Sequence, residues 1–223
     1  MINIAIDGPS GAGKSTVAKR LSKELGYLYI DTGALYRAVG YYILNAGISP
    51  NDKNGVEKAL CGIEIGLTYD ENGSRHVWLN GKDISENILS LEISKYASNV
   101  SALPCVRAFL LETQREIARN NNVLMDGRDI GTVVLPDAQV KIYLTATAED
   151  RANRRYLDLK ESGETYESVL ASITERDYND MNRIIAPLKQ ADDAVLVDTT
   201  GCSAEQGYEK LKAAVIKQME RHN

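Results

Sequence analysis

The 223-residue sequence predicts an α/β protein that has a mostly parallel sheet, helices on both of its faces and a small antiparallel β insertion. Two observations lead to this fold class. Short apolar runs typical of buried strands alternate along the chain with longer amphipathic or charged runs typical of helices. Between residues 63 and 83 the alternation stops, and two strand-like runs occur beside the turn signals "DENG" and "NGKD".

The first four elements alternate strictly. Residues 2–7 form an apolar run that ends at Asp7, and residues 14–25 follow with helical periodicity after a glycine-rich loop. A second short apolar run, at 27–30, predicts the next strand. Residues 34–45 repeat apolar side chains at intervals of three and four, which predicts a second helix.

The insertion and the second half of the chain complete the pattern. The insertion has strand-like runs at 63–69 and 75–79. The remaining helices are amphipathic or highly charged, and we expect them in pieces over 91–119 and at 148–160, 165–185 and 204–221. We expect the remaining strands at 123–125, 140–144 and 194–197. Ligands of such sheets bind at the carboxyl ends of the strands.

Composition restricts the class of protein. Hydrophobic residues make up 43% of the chain and charged residues 26%, and no apolar stretch is long enough for a membrane span. The first residues lack the basic region and cleavage site of a signal peptide, so we expect a cytoplasmic protein. A net charge of −5 argues against a nucleic-acid surface. We therefore expect neither a nucleic-acid nor a membrane partner, and a monomer by default.

Cysteine and histidine are too scattered to suggest a site. Cys61, Cys105 and Cys202 are far apart and odd in number, which predicts buried thiols rather than disulfides or a zinc site. His76 lies in a strand-like segment and His222 at the end of the sequence, which disfavours a histidine triad or metal centre.

The first strand leads into "GPSGAGKST", which fits the phosphate-binding pattern G-x-x-x-x-G-K-[ST]. The glycines allow a loop whose backbone N–H groups bind phosphate, and the next helix adds its positive end. Lys14 would place a charge on the transferred group, and the Ser15 hydroxyl would bind magnesium. A glycine-rich turn without a ligand is disfavoured, because strand, loop and helix occur in the required order. The residues of this predicted site for a nucleoside triphosphate are Gly8, Pro9, Ser10, Gly11, Ala12, Gly13, Lys14, Ser15 and Thr16.

The segment "DTGALYR" begins where the second predicted strand ends. Asp31 or Thr32 would cap the following helix, and Arg37 would lie about one and a half turns into it. A position at a strand end favours a ligand-binding role for Arg37. The alternative is a solvated arginine on a helix surface.

The segment "LMDGRDIGTVV" places Arg128 beside Asp129 after an apolar run. Neighbouring side chains on extended backbone point to opposite sides, so each charge is expected to hold a different group. In the alternative, the backbone curls and the two form a mutual salt bridge when no ligand is bound.

Two charged helices carry further arginines. In "ERDYNDMNR", Arg176, Asp180 and Arg183 are spaced to share one helical face, although a surface salt-bridge ladder would have the same spacing. In "DRANRR", Arg151 and Arg155 are four apart and would repel unless a polyanion lies between them; the alternative is a solvated basic helix. Together with the phosphate-binding loop, these segments predict a site for several phosphates.

The segments "GPSGAGKST", "DTGALYR", "DGRDIGTVV" and "ERDYNDMNRIIAPL", in this order and spacing, resemble those of bacterial cytidylate kinases over nearly the whole chain. "DGRDIGTVV" is the most diagnostic, and the β insertion resembles an extra piece of the monophosphate-binding domain in that family. The resemblance implies a nucleoside-monophosphate-kinase core with a five-stranded parallel sheet. It implies phosphoryl transfer from ATP to CMP or dCMP, with magnesium, in pyrimidine metabolism.

The resemblance also implies roles for residues by position. The residues implied to bind CMP are Thr32, Arg37, Ser98, Arg107, Arg128, Asp129, Arg176, Asp180 and Arg183. Within this set, Arg37, Arg128 and Arg183 would hold the phosphate. Arg176 and Asp180 would hold the sugar. On the ATP side, Arg151 would lie against the adenine and Arg155 on phosphates. The residues implied to act in catalysis are Lys14, Arg128, Arg155 and Arg183.

The three residues implied to read the base are Ser98, Arg107 and Asp129, and these roles fit the chemistry of cytosine. Asp129 can accept from the exocyclic amino group, while Arg107 and Ser98 can donate to the ring acceptors N3 and O2. Uracil presents a carbonyl oxygen where cytosine has the amino group, so we expect CMP to be preferred over UMP.

We expect a single kinase chain over 1–223 with three parts. Its core would comprise 1–38, 104–150 and 186–223; residues 39–103, with the insertion, would bind the monophosphate; and 151–185 would close as a lid. Two alternatives stay open. One is a kinase for another acceptor, such as UMP, AMP or a non-nucleotide. The other is a nucleotide-gated switch without a phosphoryl acceptor; a GTPase is disfavoured because the chain has no Asn-Lys dipeptide of the guanine-reading motif NKxD.

Overall fold

The computed structural model describes residues 1–70, 75–158 and 163–221. The chain divides into two compact units: unit 1 comprises Met1–Tyr29 and Ala118–Asn223, and unit 2 comprises Ile30–Ile117. Three sequence predictions fall outside the described residues: most of the "DENG" turn (71–73), part of the expected lid (159–162) and the position of His222.

Helices and strands alternate as expected. In chain order the described elements are β1 (Asn3–Asp7), α1 (Lys14–Leu25), β2 (Leu28–Asp31), α2 (Thr32–Asn45), α3 (Lys53–Leu60), β3 (Ile65–Tyr69), β4 (Arg75–Leu79), β5 (Lys82–Asp83), α4 (Leu91–Val100), α5 (Pro104–Asn120), β6 (Val123–Gly127), a π-helical turn (Ile130–Val134), β7 (Val140–Thr145), α6 (Ala148–Asp158), α7 (Tyr166–Asn182), β8 (Val195–Asp198) and α8 (Ala204–Met219). None of the described helices is long and apolar enough to cross a lipid bilayer.

The large sheet has five strands in the order β2-β6-β1-β7-β8, which confirms the predicted fold class. β1 is central and parallel to both neighbours, with Ile4 opposite Leu124 on β6 and Val140 on β7. The consecutive residues 4–6 are all 0% exposed, so both faces of β1 are covered, as in a sheet with helices on each side. The carboxyl end of β1 leads directly into the glycine-rich loop and α1.

Unit 2 contains the predicted antiparallel insertion, as a three-stranded sheet in the order β3-β4-β5. Ile65 pairs with Leu79 across β3 and β4. Val77 and Leu79 on β4 are buried together with Ile43 of α2 and Val56 of α3 in one hydrophobic core. The insertion therefore shares its core with the surrounding helices of unit 2.

The helix expected over 165–185 ends earlier, at Asn182. Pro187 disfavours the helical conformation for the residue before it, and Ala186 has a positive φ of 49°. The chain turns back, and the Leu188 N–H donates to the Asp180 carbonyl at 2.7 Å, which satisfies one of the last helix carbonyls. Arg183 therefore lies on extended backbone beyond the helix, and the expected single helical face for Arg176, Asp180 and Arg183 was wrong.

Other elements were missed or misjudged. Helix α3 was not predicted, although Asp52 caps it and Val56 and Leu60 form its buried face. The segment read as the turn "NGKD" contains the short strand β5. The thiols were expected to be buried, but Cys61 is exposed and the other two cysteines are partly exposed. No helical turn was expected directly after β6.

Candidate active site

The glycine-rich loop between β1 and α1 has the backbone conformation of a phosphate-binding loop. Gly8 has φ 150°, and a Cβ there would collide with the Leu144 carbonyl of β7. Gly13 has φ 82° and precedes the first turn of α1, where no side chain caps the free N–H groups. These N–H groups, together with the positive end of the helix, provide a site for an anion.

The Lys14 ammonium lies inside this loop. Its Nζ donates to the carbonyls of Gly8 at 2.8 Å and Pro9 at 2.7 Å. Burial, followed by the nearby Arg128 guanidinium, holds the pKa of Lys14 well below its usual range, and Arg176 adds to the effect. We call Lys14, Arg128 and Arg176 the cationic cluster. Basic groups that act on one another in this way favour an anionic ligand.

Next to the loop, Asp126 at the end of β6 faces the first turn of α1. Its two oxygens accept from the Ser15 hydroxyl at 2.9 Å and the Tyr29 hydroxyl at 2.8 Å. The sequence reasoning missed Asp126. Its position could have indicated it, because a charged residue directly before "GRD" is unexpected at the end of an apolar strand. A hydroxyl and a carboxylate side by side are ligands that Mg²⁺ prefers.

A second missed carboxylate, Asp7, supports the segment after β6. Its oxygens accept from the backbone N–H groups of Ile130 and Gly131, each at 2.7 Å, at the start of the π-helical turn. Burial raises the pKa of Asp7 to about 6, against the opposing effect of these two hydrogen bonds. Single turns of π-helix often occur at functional sites, and this one directly follows Arg128 and Asp129.

Arg128 and Asp129 do not pair with each other. Arg128 Nε lies 3.0 Å from Asp180 Oδ2, and Asp129 Oδ1 lies 3.0 Å from Arg183 Nη2. Arg183 also donates from Nε to the carbonyl of Ala186. Two residues at the end of β6 thus form crossed ion pairs with two residues at the end of α7. The mutual salt bridge considered as an alternative is not formed.

The two arginines predicted to bind ATP, both on α6, have different surroundings. Arg151 is buried and donates to the carbonyls of Ala146 and Ser10, each at 2.8 Å, while its Nη2 lies 2.7 Å from Asp177 Oδ2. Its charge is therefore matched within unit 1 and does not require a polyanion. Arg155 is partly exposed on the same helix.

Arg154 of α6, which the sequence reasoning passed over, also lies near the glycine-rich loop. It pairs with Asp150 at 2.5 Å and donates to the Thr199 carbonyl at 2.7 Å. Its Nη1 would lie 4.0 Å from a Cβ built on Gly13. No sequence signal separates Arg154 from the other arginines of "DRANRR".

The remaining predicted site residues belong to unit 2. Asp31 caps α2, as predicted, by accepting from the Ala34 N–H at 3.0 Å. Thr32 is buried in the first turn, and Arg37 Nη2 lies 3.1 Å from Asp31 Oδ2. Arg37 is therefore held by a carboxylate and is not a solvated side chain. Arg75 of β4, another residue missed from sequence, also forms an ion pair with Asp31.

Arg107 and Ser98, the predicted base-reading residues of unit 2, lie on α5 and α4. Arg107 is buried, donates from Nη1 to the Ser101 carbonyl at 3.4 Å, and lies 5.9 Å from the centre of the Tyr36 ring. The Ser98 carbonyl accepts from the Ser101 hydroxyl at 2.8 Å. Ser101 thus connects the two predicted residues.

Comparison with known proteins gives a consistent result. Residues 4–218 match the family model described as Cytidylate kinase. A protein named cytidylate kinase from Caldicellulosiruptor bescii is 50% identical over 212 residues, which is 94% of this chain and 93% of the relative. One from Streptococcus suis is 48% identical over 206 residues, 92% of each chain.

A solved structure supports the fold alone. The crystal structure of an uncharacterised protein from Eubacterium ventriosum is similar with a TM-score of 0.54 at 10% identity, and the match covers 97% of this chain and 99% of that one.

Proposed function

Since the chain belongs to the cytidylate kinase family, we propose that it transfers the γ-phosphoryl group of ATP to CMP, giving ADP and CDP, and that dCMP is also accepted. The observation that carries this proposal is the buried Lys14 inside the glycine-rich loop, beside Arg128 and Arg176. Two anions must approach each other in this reaction, and the cationic cluster would offset their repulsion.

On the donor side, the loop residues 8–16 would bind the ATP phosphates through backbone N–H groups and the positive end of α1. Lys14 would leave the carbonyls of Gly8 and Pro9 and donate to the transferred phosphoryl group. Arg155 would add charge to the ATP phosphates. Arg151, which donates to the Ser10 carbonyl of the loop, would lie against the adenine. In this proposal the protein positions the reactants and stabilises charge.

On the acceptor side, Arg37, Arg128 and Arg183 would hold the CMP phosphate, and Arg176 and Asp180 the sugar. The crossed pairs Arg128–Asp180 and Arg183–Asp129 support this assignment, because they keep four polar side chains in place before the nucleotide binds. The base would be read by Ser98, Arg107 and Asp129, as set out above. Thr32 of α2 is also assigned to CMP binding.

The proposed reaction needs no general base. A phosphate monoester has a second pKa near 6, so the attacking oxygen is mostly ionised at neutral pH. We therefore assign the described residues to binding, orientation and charge stabilisation only. The absence of a histidine from the proposed site residues agrees with this assignment.

Magnesium is the proposed metal, and the residues present fit it. Ser15 Oγ and Asp126 Oδ2, 2.9 Å apart, would hold it with water and phosphate oxygens completing its shell. When bound, the ion would neutralise charge on the phosphates. Two protein ligands suffice for this role, and among the described residues there is no cluster of three or more acidic, histidine or cysteine side chains suited to a metal.

We also propose that the chain acts as a cytoplasmic monomer in pyrimidine metabolism, without nucleic-acid or membrane partners. Its net charge of −5 supports the lack of a nucleic-acid surface. Residues 39–103 would serve CMP binding, and 151–185 would close as a lid that limits ATP hydrolysis.

The experiment that tests the proposed function measures ADP release with CMP, dCMP, UMP, AMP and shikimate as acceptors. We expect the highest kcat/KM for CMP, followed by dCMP. Equal rates with UMP or AMP would contradict the acceptor assignment. Slow ATP hydrolysis that does not change when CMP is added would instead indicate a nucleotide-gated switch.

The metal assignment predicts that Asp126→Asn raises the Mg²⁺ concentration needed for half-maximal activity by about tenfold, because one charged ligand is lost. The measurement is a magnesium titration of the rate at saturating ATP and CMP. Asp137→Asn is the matched control, since Asp137 is exposed and far along the chain from the loop. An unchanged magnesium requirement in Asp126→Asn would contradict the assignment.

A further inference from the structure

The Asp31 carboxylate in unit 2 is shared by two guanidinium groups. Arg37 of α2 contacts Asp31 Oδ2 at 3.1 Å, and Arg75 of β4 contacts the same oxygen. The other oxygen, Oδ1, accepts from the Ala34 N–H at the start of α2. Arg75 is the first residue of β4, so this side chain connects the β insertion to the carboxylate that caps α2.

The two guanidinium groups of Arg37 and Arg75 carry one positive charge more than the Asp31 carboxylate can balance. Two guanidinium groups on one oxygen repel each other, and the Nε atoms of Arg37 and Arg75 are buried without a hydrogen-bond partner among the described residues. The side chains of Arg37 and Arg75 are 23% and 20% exposed, against 8% for Asp31. An anion arriving from solvent can therefore reach the arginines while the carboxylate stays buried.

Gly33 lies beside the guanidinium of Arg37. A Cβ at this position would lie 3.4 Å from Arg37 Nη1 and 3.1 Å from Asp31 Oδ1. With glycine there, no side chain from position 33 lies against the guanidinium of Arg37. Arg75 has its backbone fixed by pairing with Tyr69 in the β3–β4 sheet, so its position is set by the insertion.

We propose that Arg75 is a positioning residue that neutralises Asp31 so that Arg37 can transfer from this carboxylate to the CMP phosphate. The proposal rests on the function proposed above, in which Arg37 binds that phosphate. Without Arg75, Asp31 would be balanced by Arg37 alone and would compete with the phosphate for it. This gives the β insertion a role in acceptor binding, because it supplies Arg75, the second guanidinium group on Asp31.

The test compares Arg75→Ala with the double variant Asp31→Asn/Arg75→Ala. Asparagine is as good a helix cap as aspartate, so Asp31→Asn removes the competing charge and keeps the cap on α2. We expect Arg75→Ala to raise the KM for CMP by about tenfold with little change in kcat, a typical coupling for a close charge pair. The double variant should recover a KM within about threefold of the original protein, because Arg37 is then released.

Two control variants distinguish the charge of Arg75 from a general disturbance of β4. Arg75→Lys keeps the charge and should keep most of the CMP affinity. His76→Ala removes the next side chain on the same strand, which pairs with Asp83, and should leave the KM for CMP unchanged. Calorimetry with cytidine should give the same affinity for Arg75→Ala and the original protein, because the missing contact concerns the phosphate only.

Two results would overturn the role proposed for Arg75. If Asp31→Asn fails to restore CMP binding to Arg75→Ala, Arg75 does not act through Asp31 and the proposal is overturned. A rise in KM for Arg75→Ala that vanishes at about 0.5 M salt would also overturn the proposal, since salt screens a long-range charge effect much more than a direct, partly buried ion pair. If the unmodified protein does not phosphorylate CMP, it is the proposed function that fails, which the acceptor assay detects first.

Discussion

Asp129 illustrates how one side chain can have a structural partner and a proposed ligand. Its Oδ1 accepts from Arg183 Nη2 at 3.0 Å, and the carboxylate is buried. Arg183 is held in turn by the Ala186 carbonyl, so it keeps Asp129 oriented after β6. A carboxylate fixed in this way can discriminate between bases, because a mismatched base cannot turn it away at low cost.

We predict that Asp129→Asn narrows the preference for CMP over UMP, measured as the ratio of kcat/KM values, by about tenfold or more. The asparagine amide can donate to the uracil oxygen as well as accept from the cytosine amino group, whereas aspartate can only accept. The measurement uses the ADP-release assay with both acceptors. Asp137→Asn, at an exposed position, should keep the original ratio. An Asp129→Asn enzyme with the original ratio would show that Asp129 does not read the base.

At the level of elements, the π-helical turn Ile130–Val134 depends on Asp7 of the central strand. The two N–H groups that begin the turn donate to this one buried carboxylate. The turn also allows Gly131 to approach Lys141 and Asp7, since a Cβ there would lie 3.2 Å from Lys141 Cδ. Asp7 thus connects the strand before the glycine-rich loop to the segment that carries Arg128 and Asp129.

The titration of Asp7 predicts a pH dependence of stability. Its pKa is raised by burial from the ordinary 3.8 to about 6. Between these values the folded protein binds a proton that the unfolded chain has released, so the contribution of Asp7 to the free energy of unfolding falls as the pH rises from about 4 to 6. Well above pH 6 the contribution is constant. A shift of about two pKa units corresponds to roughly 3 kcal/mol.

Asp7→Asn cannot ionise, so its stability should lack this contribution. We expect the free energy of unfolding of the original protein, relative to that of Asp7→Asn, to decrease between pH 4.5 and 7, by at most about 3 kcal/mol. Urea unfolding at several pH values measures the difference. A constant difference between the original protein and Asp7→Asn over this pH range would refute the assigned titration.

The contact between α2 and α4 in unit 2 depends on Gly40. A Cβ at this position would lie 2.9 Å from the Ala97 backbone nitrogen and 3.3 Å from its Cα. Both atoms belong to a helix backbone that cannot move alone. We predict that Gly40→Ala destabilises the protein by about 1–3 kcal/mol, even though alanine favours helices by about 1 kcal/mol over glycine.

Gly66→Ala is the matched control for this prediction. Its Cβ would lie 3.6 Å from Trp78 Cβ, which is an ordinary contact across β3 and β4. Thermal or urea unfolding of both variants measures the comparison. If Gly40→Ala were as stable as Gly66→Ala, the close approach of α2 and α4 would not be the reason for glycine at position 40.

At the scale of the whole molecule, ligand binding should raise the thermal stability of the folded protein. A ligand that binds only the folded state at about 100 times its dissociation constant stabilises it by roughly 2.7 kcal/mol. We predict that Arg183→Ala loses most of the rise in Tm with CMP while keeping that with ATP, because Arg183 is assigned to bind the acceptor phosphate and not the phosphates of ATP. Differential scanning calorimetry with each nucleotide measures both shifts.

Lys19→Ala, at an exposed position of α1, is the control and should retain both shifts. An Arg183→Ala protein that still responds fully to CMP would remove Arg183 from the acceptor site. Loss of both responses would indicate that Arg183 supports the whole fold, through Asp129 and Ala186, rather than one ligand.

Much of this protein follows from its sequence alone, because the decisive signals are local. The alternation of apolar runs and amphipathic segments predicts the α/β fold, and the pattern "GPSGAGKST" predicts the loop before α1, since glycine and lysine at fixed spacing meet the steric and charge needs of a phosphate. The segment "DTGALYR" likewise predicted a capped helix, and Asp31 caps it. The match of residues 4–218 confirmed the family.

Contacts between residues far apart in the chain were decided only by the tertiary structure. The end of α7 depends on the turn that Leu188 makes back to Asp180, and the partners of Arg128 and Asp129 lie more than fifty positions away. No local pattern reveals that Arg75 contacts Asp31. Side-chain spacing predicts which residues share a helix face or a strand end, but the fold determines which opposite charges meet, because pairing energy depends on distance and burial in three dimensions.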